Sequence, residues 1–319
     1  MKKIFLTLIL SAIVLPVALY AQSDDSLSKY MNKTVSELNA FSEQGDSVAT
    51  FIIGECYKGG VNGVKKDVAQ ALNLYKKSAT QGCEIAMFKL GFLYEGTEDV
   101  PQDYNESIRW YNLAAQKGYA PAMRCLSDCY TEGHGVEKSD EKAFEWLVKA
   151  AKSGDVYSQY LVGDKYLNGE GVKKDVKKAI EWFTLAMNNG DEMSHSSLAR
   201  IYYYGDEGVE QDYNKAFQLY LDEAEKGGTF NFRELGDCYY NGYGVAQNYK
   251  EAVKWYTKAA EDNNASAQYA LGLCYEYGKG VSKNTTKAIE YYRKAANQQD
   301  DFDVSDQAKE KLKLLGGQY

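Results

Sequence analysis

Proline is almost missing from this chain of 319 residues, which has only Pro16, Pro101 and Pro121. No proline-rich linker divides it, so a single continuous domain is expected. Histidine is scarcer still: there are two, His134 and His195, far apart in sequence. Two such residues do not build the base systems common in hydrolases, and no Cys-x-x-Cys occurs among the six cysteines. No metal, no cofactor and no catalytic set is therefore expected. Positive charge is in deficit, with 37 Lys and Arg against 45 Asp and Glu. A net charge of −8 argues against nucleic acid, whose binding needs a basic patch, and against plain electrostatic docking on anionic lipid. Long apolar runs are also absent, with one exception at the start.

That exception, Ile4 to Leu19, follows Lys2 and Lys3 and is interrupted by Pro16. It reads as a secretory signal covering residues 1–21, with a cut at Ala21-Gln22 and Leu19 larger than ideal at the third position back. The run is too short and poorly flanked for a stable transmembrane helix; an uncleaved anchor is the alternative. No cysteine stands nearby to carry a lipid. The expected product is exported, to the periplasm or the extracellular space, with no membrane insertion after cleavage. Losing Lys2 and Lys3 takes the formal charge from −8 to −10.

What the chain does have is a repeat. Asp155 to Gly190 shows one unit. Ser158, Val162, Gly163 and Tyr166 share one face of a helix. Asn168 to Gly171 break it. Asp175 then caps a second helix, whose apolar stripe is Ala179, Trp182, Phe183, Ala186 and Met187. Gly190 ends it in the left-handed conformation. Such a unit, about 36 residues long, buries its apolar face only by stacking on its neighbours, which implies a solenoid.

Seven copies run from 47 to 299. The small residue of the first helix is Gly54, Gly91, Ser127, Gly163, Ala199, Gly236 or Gly272. The capping residue is Asp67, Asp103, Ser139, Asp175, Asp212, Asn248 or Asn284, all strong capping types. The outer aromatic position of the second helix reads Leu74, Trp110, Trp146, Trp182, Leu219, Trp255 and Tyr291; the next position reads Tyr75, Tyr111, Leu147, Phe183, Tyr220, Tyr256 and Tyr292. The stops are Gly82, Gly118, Gly154, Gly190, Gly227, Asn263 and Gln299, of which only Gln299 fits the left-handed state poorly. Thr97 and Asp99 replace loop glycines in the second copy and Glu223 replaces a packing alanine in the fifth, so both copies are expected to be looser.

The pattern A-x-x-x-L-G-x-x-Y, G-x-G-V-x-x-D, K-A-x-x-W-Y-x-x-A-A-x-x-G resembles the Sel-one-like repeat family, relatives of tetratricopeptide repeats. Residues 264–299 carry it best, through Ala267, Leu271, Gly272, Tyr275, Gly278, Gly280, Val281, Lys287, Ala288, Tyr291, Tyr292, Ala295 and Ala296. The resemblance implies an all-α fold, a right-handed superhelix of helix pairs, and a role as a scaffold for protein complexes without chemistry of its own. Some secreted relatives join the two helices of a repeat by a disulfide. Here no second helix holds a cysteine. Cys56, Cys129, Cys238 and Cys274 occupy equivalent first-helix positions, spaced too widely to pair, and read as small buried residues.

The ends look like caps. A helix over Leu27 to Gln44 is expected within the segment 22–46, and another over Val304 to Leu315 within 300–319. Ser26-Leu27-Ser28-Lys29 fits the S-x-x-K motif of penicillin-recognising enzymes, but no S-D-N or K-T-G follows, and the match is read as chance. His134 is expected to be solvated, His195 to face partner or solvent.

By similarity to tetratricopeptide repeats, the first helices line a concave groove. Residues three before the small position should point into it: Phe51, Phe88, Arg124, Tyr160, Ser196, Arg233 and Tyr269. So should those one after it: Glu55, Phe92, Asp128, Asp164, Arg200, Asp237 and Leu273. Rings interleaved with Arg and Asp suit a protein or peptide partner; a solvated helix face is the plain alternative. An exposed Phe88–Phe92 pair would discriminate between them. A monomeric scaffold is expected. The alternatives are a binder of peptidoglycan or glycan through aromatic faces and, with no nucleophile in its support, a beta-lactam-binding or hydrolysing protein.

Overall fold

The structure is a computed structural model describing residues 29–30, 33–298 and 302–316. The signal segment 1–21, Ser26 to Ser28 of the S-x-x-K match, Leu27 and Gln299 lie outside the described residues. The fold is an all-α solenoid, with sixteen helices in hairpin succession among the described residues. Among the described residues no helix is long and apolar enough to cross a membrane.

Contacts divide the chain into two compact units, 1–158 and 159–319. Helices of stacked repeats touch mainly their sequence neighbours, so no single globular centre draws the chain together. The first unit holds α1 (Val35–Glu43), α2 (Ser47–Gly59), α3 (Val68–Thr80), α4 (Glu84–Tyr94), α5 (Tyr104–Gln116), α6 (Ala120–Glu132) and α7 (Asp140–Lys152). The boundary falls inside α8 (Val156–Asn168). The second unit continues with α9 (Val176–Asn188), α10 (Met193–Tyr204), α11 (Tyr213–Glu225), α12 (Phe232–Asn241), α13 (Tyr249–Glu261), α14 (Ala265–Tyr277), α15 (Thr285–Ala296) and α16 (Phe302–Leu314).

The small residue of each first helix has a visible cause. A methyl added at Gly54 would lie 2.7 Å from the Tyr75 ring, and one at Gly163 would lie 2.8 Å from Phe183. Gly91, Gly236 and Gly272 meet Tyr111, Tyr256 and Tyr292 in the same way. The ring of the second helix lies flat on the backbone of the first, and a side chain there would push it off. Where the small residue is Ser127, the opposing residue is the smaller Leu147, which is buried.

Helix limits follow the punctuation. The side chains of Asp67, Asp103, Ser139, Asp175, Asp212, Asn248 and Asn284 all accept from backbone amides in the first turn of the helix they precede. Asn263 takes the left-handed conformation at φ 62° as the glycines do at the other stops. In the sixth and seventh repeats the second glycine of the inner loop, Gly244 or Gly280, lies against the backbone of Tyr213 or Tyr249 one repeat earlier. A Cβ at either place would collide with that backbone.

The two irregular copies are tied down by other means. In the second, Thr97 and Val100 exchange backbone hydrogen bonds, Val100 is buried, and Asp99 pairs with Lys66 at 3.0 Å. In the fifth, Glu223 is buried and accepts from the Asn231 amide at 2.9 Å and the Phe230 backbone at 3.3 Å. The chain from Gly228 to Asn231 wraps this carboxylate, and α12 begins only at Phe232. Both copies nevertheless keep buried side-chain atoms without a partner among the described residues: Ser107 Oγ in the second, His195 Nδ1 and the Tyr220 hydroxyl in the fifth.

At the N-terminal side α1 covers 35–43 of the expected 27–44, opened by a capping box of Thr34 and Glu37. At the other end α16 packs Ala308 and Leu312 on the second unit.

Candidate binding face

The first helices present the residues three before and one after the small position, but the structure sorts them into two kinds. Phe51 and Phe88 are buried. Phe51 packs on Tyr75 at 5.6 Å and Phe88 on Tyr111 at 5.8 Å, with Tyr119 on the other side of Phe88 at 5.4 Å. Tyr160 on Phe183 and Tyr269 on Tyr292, both at 5.5 Å, repeat the contact and leave half-buried rings. This series completes the core layer over the small residue, because any ring there lies against the second helix's aromatic. The expected exposed Phe88–Phe92 pair does not form; Phe92 alone is exposed, at 47%.

Charged members of the same series are held in pairs. Arg124 bonds Asp155 at 3.0 Å and lies over the Tyr157 ring. Arg233 pairs with Asp237 at 2.5 Å and Glu234 at 2.7 Å. Burial works against the Arg233 charge, but Glu234 and Asp237 more than offset it and its pKa is raised. Ser196 accepts from the Asn231 amide.

The positions one after the small residue carry a second motif. The Tyr75 hydroxyl donates to Glu55 and the Tyr256 hydroxyl to Asp237, both at 2.6 Å. One turn further on, Glu95 and Glu276 accept from Tyr111 and Tyr292 at 2.9 and 2.6 Å. Each carboxylate thus satisfies a core tyrosine. Burial raises the pKa of Asp237 and of Asp164, the latter lying half-buried at the same position of the fourth repeat. Glu55 also pairs with Lys89 at 3.1 Å. Asp128 is exposed, and Leu273 is half-buried beside Tyr292's cluster. Arg200 is exposed and, among the described residues, has no ion-pair partner.

The structure adds residues that the two series miss. Tyr204 and Tyr277 stand five after the small position and are 62% and 56% exposed. Lys311 reaches back from α16 to Glu276 at 3.1 Å and to the Tyr277 hydroxyl at 3.0 Å. The signal was available: Arg200 to Tyr204 and Leu273 to Tyr277 are i, i+4 steps along one helix face.

Burial holds the hydroxyls and thiols of this arrangement in their protonated forms. The hydroxyls of Tyr75, Tyr111, Tyr256 and Tyr292 are pushed well above their ordinary pKa by burial. Cys129, Cys238 and Cys274 are buried thiols pushed up to about 12, inert at neutral pH. His134 stacks on Tyr104 at 4.5 Å. His195 corrects the expectation that it faces partner or solvent: it is buried, with Nε2 3.1 Å from Asp222. Its column, four before the small residue, is occupied elsewhere by Met87, Met123 and Phe232, which marks it as a stacking position. Among the described residues no group of three His, Cys, Asp or Glu could hold a metal ion.

The Sel1 repeat profile matches residues 47–83, 85–119, 120–155, 156–191, 193–221, 233–264 and 265–300. The chain belongs to the Sel1 repeat family. Solved structures agree. It is similar to c5321, a protective antigen of uropathogenic Escherichia coli strains with an SLR fold, at 33% identity and a TM-score of 0.76, over 89% of this chain and 59% of that one. It is also similar to a Sel1 repeat protein from Oxalobacter formigenes, at 29% identity and a TM-score of 0.64, over 86% of this chain and 80% of that one. This chain thus spans about three fifths of the length of c5321. No curated protein matches it. Sel1 repeat proteins are typically non-enzymatic scaffolds for protein–protein interaction.

Proposed function

We propose that this Sel1 repeat protein is an exported, monomeric scaffold that holds a protein or peptide partner on the concave face of its first helices. The carrying observation is the row Arg200, Tyr204 and Tyr277. Most charges on that face are neutralised in pairs and most rings are packed, but these three stay exposed. Two tyrosines and an unpaired arginine are side chains that supply interface energy with little ordering cost. A pull-down from envelope extract with the wild type and with Arg200→Ala/Tyr204→Ala tests it. Loss of partners in the variant supports the face, and recovery of the same partners by both overturns it. Retention on purified wall material alone would favour peptidoglycan or glycan binding, in which the tyrosines stack on sugars. Export is tested by sequencing the mature N-terminus, where Met1 retained would remove the cut at Ala21-Gln22. Nitrocefin turnover tests the beta-lactam alternative.

A further inference from the structure

The fifth repeat borders an open apolar recess. A recess of about 380 Å³ opens between α9, α10 and α11, with Met187, Leu198, Tyr202, Lys215, Gln218 and Leu219 on its wall. Tyr202 and Leu198 stand two residues from Tyr204 and Arg200, on the opposite side of α10, so this is a different surface from the row proposed above.

The seventh repeat shows one way in which this space is filled. There the equivalent positions are Tyr275, Tyr291 and Lys287. The two rings stack at 5.7 Å and 7°, and the Lys287 ammonium lies over Tyr275 at 5.2 Å. The fifth repeat keeps two of the three parts. Tyr202 stands in place of Tyr275, and Lys215 lies over it at 4.8 Å. The third part is missing, because Leu219 occupies the position that Trp110, Trp146, Trp182, Trp255 or Tyr291 takes in other copies. A leucine is shorter than an indole and cannot stack, so one face of Tyr202 is left without its ring.

We propose that this recess binds an aromatic side chain, an indole above all, of a polypeptide partner, and that an acidic residue beside that ring pairs with Lys215. The apolar wall of Met187, Leu198 and Leu219 takes the edge of the ring, and Tyr202 takes its face in an offset stack. The Gln218 amide stands at the mouth to receive the indole N–H. Lys215 is the charged side chain on the wall, 61% exposed; besides the Tyr202 ring it meets Asp212 at i, i+3, at 3.4 Å. An anionic neighbour to the ring is therefore the complementary charge. A chain-borne ring fits better than a free molecule. Asn214, Lys215 and Gln218 are exposed, so the site is too open to enclose a whole small ligand, and a side chain held by its own polypeptide needs no such enclosure.

The test uses the full chain with labelled methyl groups, titrated with the peptides acetyl-Glu-Trp-Glu-amide and acetyl-Glu-Leu-Glu-amide and with free indole. The expected result is saturable shifts at Met187, Leu198 and Leu219 with the Trp peptide, with a dissociation constant on the order of 1 mM. The Leu peptide should bind at least about tenfold more weakly. Leu219→Trp, which supplies the missing ring from within, should abolish binding; Leu74→Trp, at the same position of the first repeat, should not. Tyr202→Ala gives an independent readout if Leu219→Trp folds poorly, and should also lose the shifts. Equal binding of the Trp and Leu peptides would overturn the proposal. So would unchanged binding by Tyr202→Ala or a folded Leu219→Trp, or binding of free indole without the peptide.

Discussion

The fifth and seventh repeats share one register and differ in what they do with it. In the seventh, Gly272 lets Tyr292 lie flat on the first helix, Glu276 receives its hydroxyl, and Lys311 closes the carboxylate from α16. In the fifth, Ala199 stands where the glycine was. Tyr220 is still fully buried, but its hydroxyl has no partner among the described residues. The reason lies in two substitutions. Arg200 and Tyr203 occupy the positions that hold the accepting carboxylates, Glu55 and Asp237 or Glu95 and Glu276, in four other repeats. The fifth copy also buries Glu223 and His195, whose Nδ1 is likewise unpartnered among the described residues. One copy is thus optimised for packing. The other keeps the helices but leaves its polar groups and surface unfinished, and the exposed arginine and the open recess both lie there.

The sharpest way to break the comparison is at the small position. Gly272→Val should cost about 3 kcal/mol, because the new side chain displaces a buried ring. Ala199→Gly should cost only about 1 kcal/mol, a helix-propensity effect. Urea unfolding of both variants checks this, and equal losses would mean that the ring-on-glycine contact does not set stability. The hydroxyls come next. Tyr292→Phe takes one hydrogen bond from the Glu276 carboxylate, which keeps Lys311, and should lose about 1 kcal/mol, but Tyr220→Phe removes an unsatisfied group and should be neutral or stabilising. The same unfolding measurement decides, and destabilisation by Tyr220→Phe would show that its hydroxyl is satisfied after all. Asn284→Ala should cost about 1 kcal/mol through the lost cap, read as a shift in urea midpoint at constant slope.

The smallest expected effect is in pH. Burial pushes Glu276 upward, but hydrogen bonds from Tyr292, Lys311 and Tyr277 outweigh it and leave its pKa below the ordinary 4.5. The native state therefore resists protonating this group. Its contribution is fully present above the ordinary value and is lost as pH falls through the lower folded value. The urea midpoint of the wild type should fall further between pH 6 and about pH 3 than that of Glu276→Gln. Parallel curves would remove the carboxylate from the account.

Much of this was readable in the chain. The seven capping residues, the left-handed stops and the small-residue column all stand where spacing placed them, because each is a local backbone requirement repeated in fixed register. The binding face was less readable. Phe51 and Phe88 share a column with Arg124 and Arg233, and sequence alone gives the column a direction without saying which side chains fold back onto the core. A ring reaches the second helix and is buried there; an arginine in the same column finds a carboxylate instead. Tyr204 and Tyr277 lie one turn beyond the columns considered. His195 was legible, since its column otherwise holds uncharged residues, Thr50, Met87, Met123, Gln159, Phe232 and Gln268, but its rarity drew attention to chemistry instead of position.

By itself the sequence determined helix succession, limits and stacking period, since these depend on short-range geometry that each unit of about 36 residues restates. Only the tertiary structure decided which polar groups are satisfied and where a ring is missing. Those outcomes depend on whether two side chains from different helices meet within hydrogen-bonding or stacking distance. A repeating pattern fixes the average neighbour of each position, but the contact that one substituted copy makes or loses is set by packing in three dimensions.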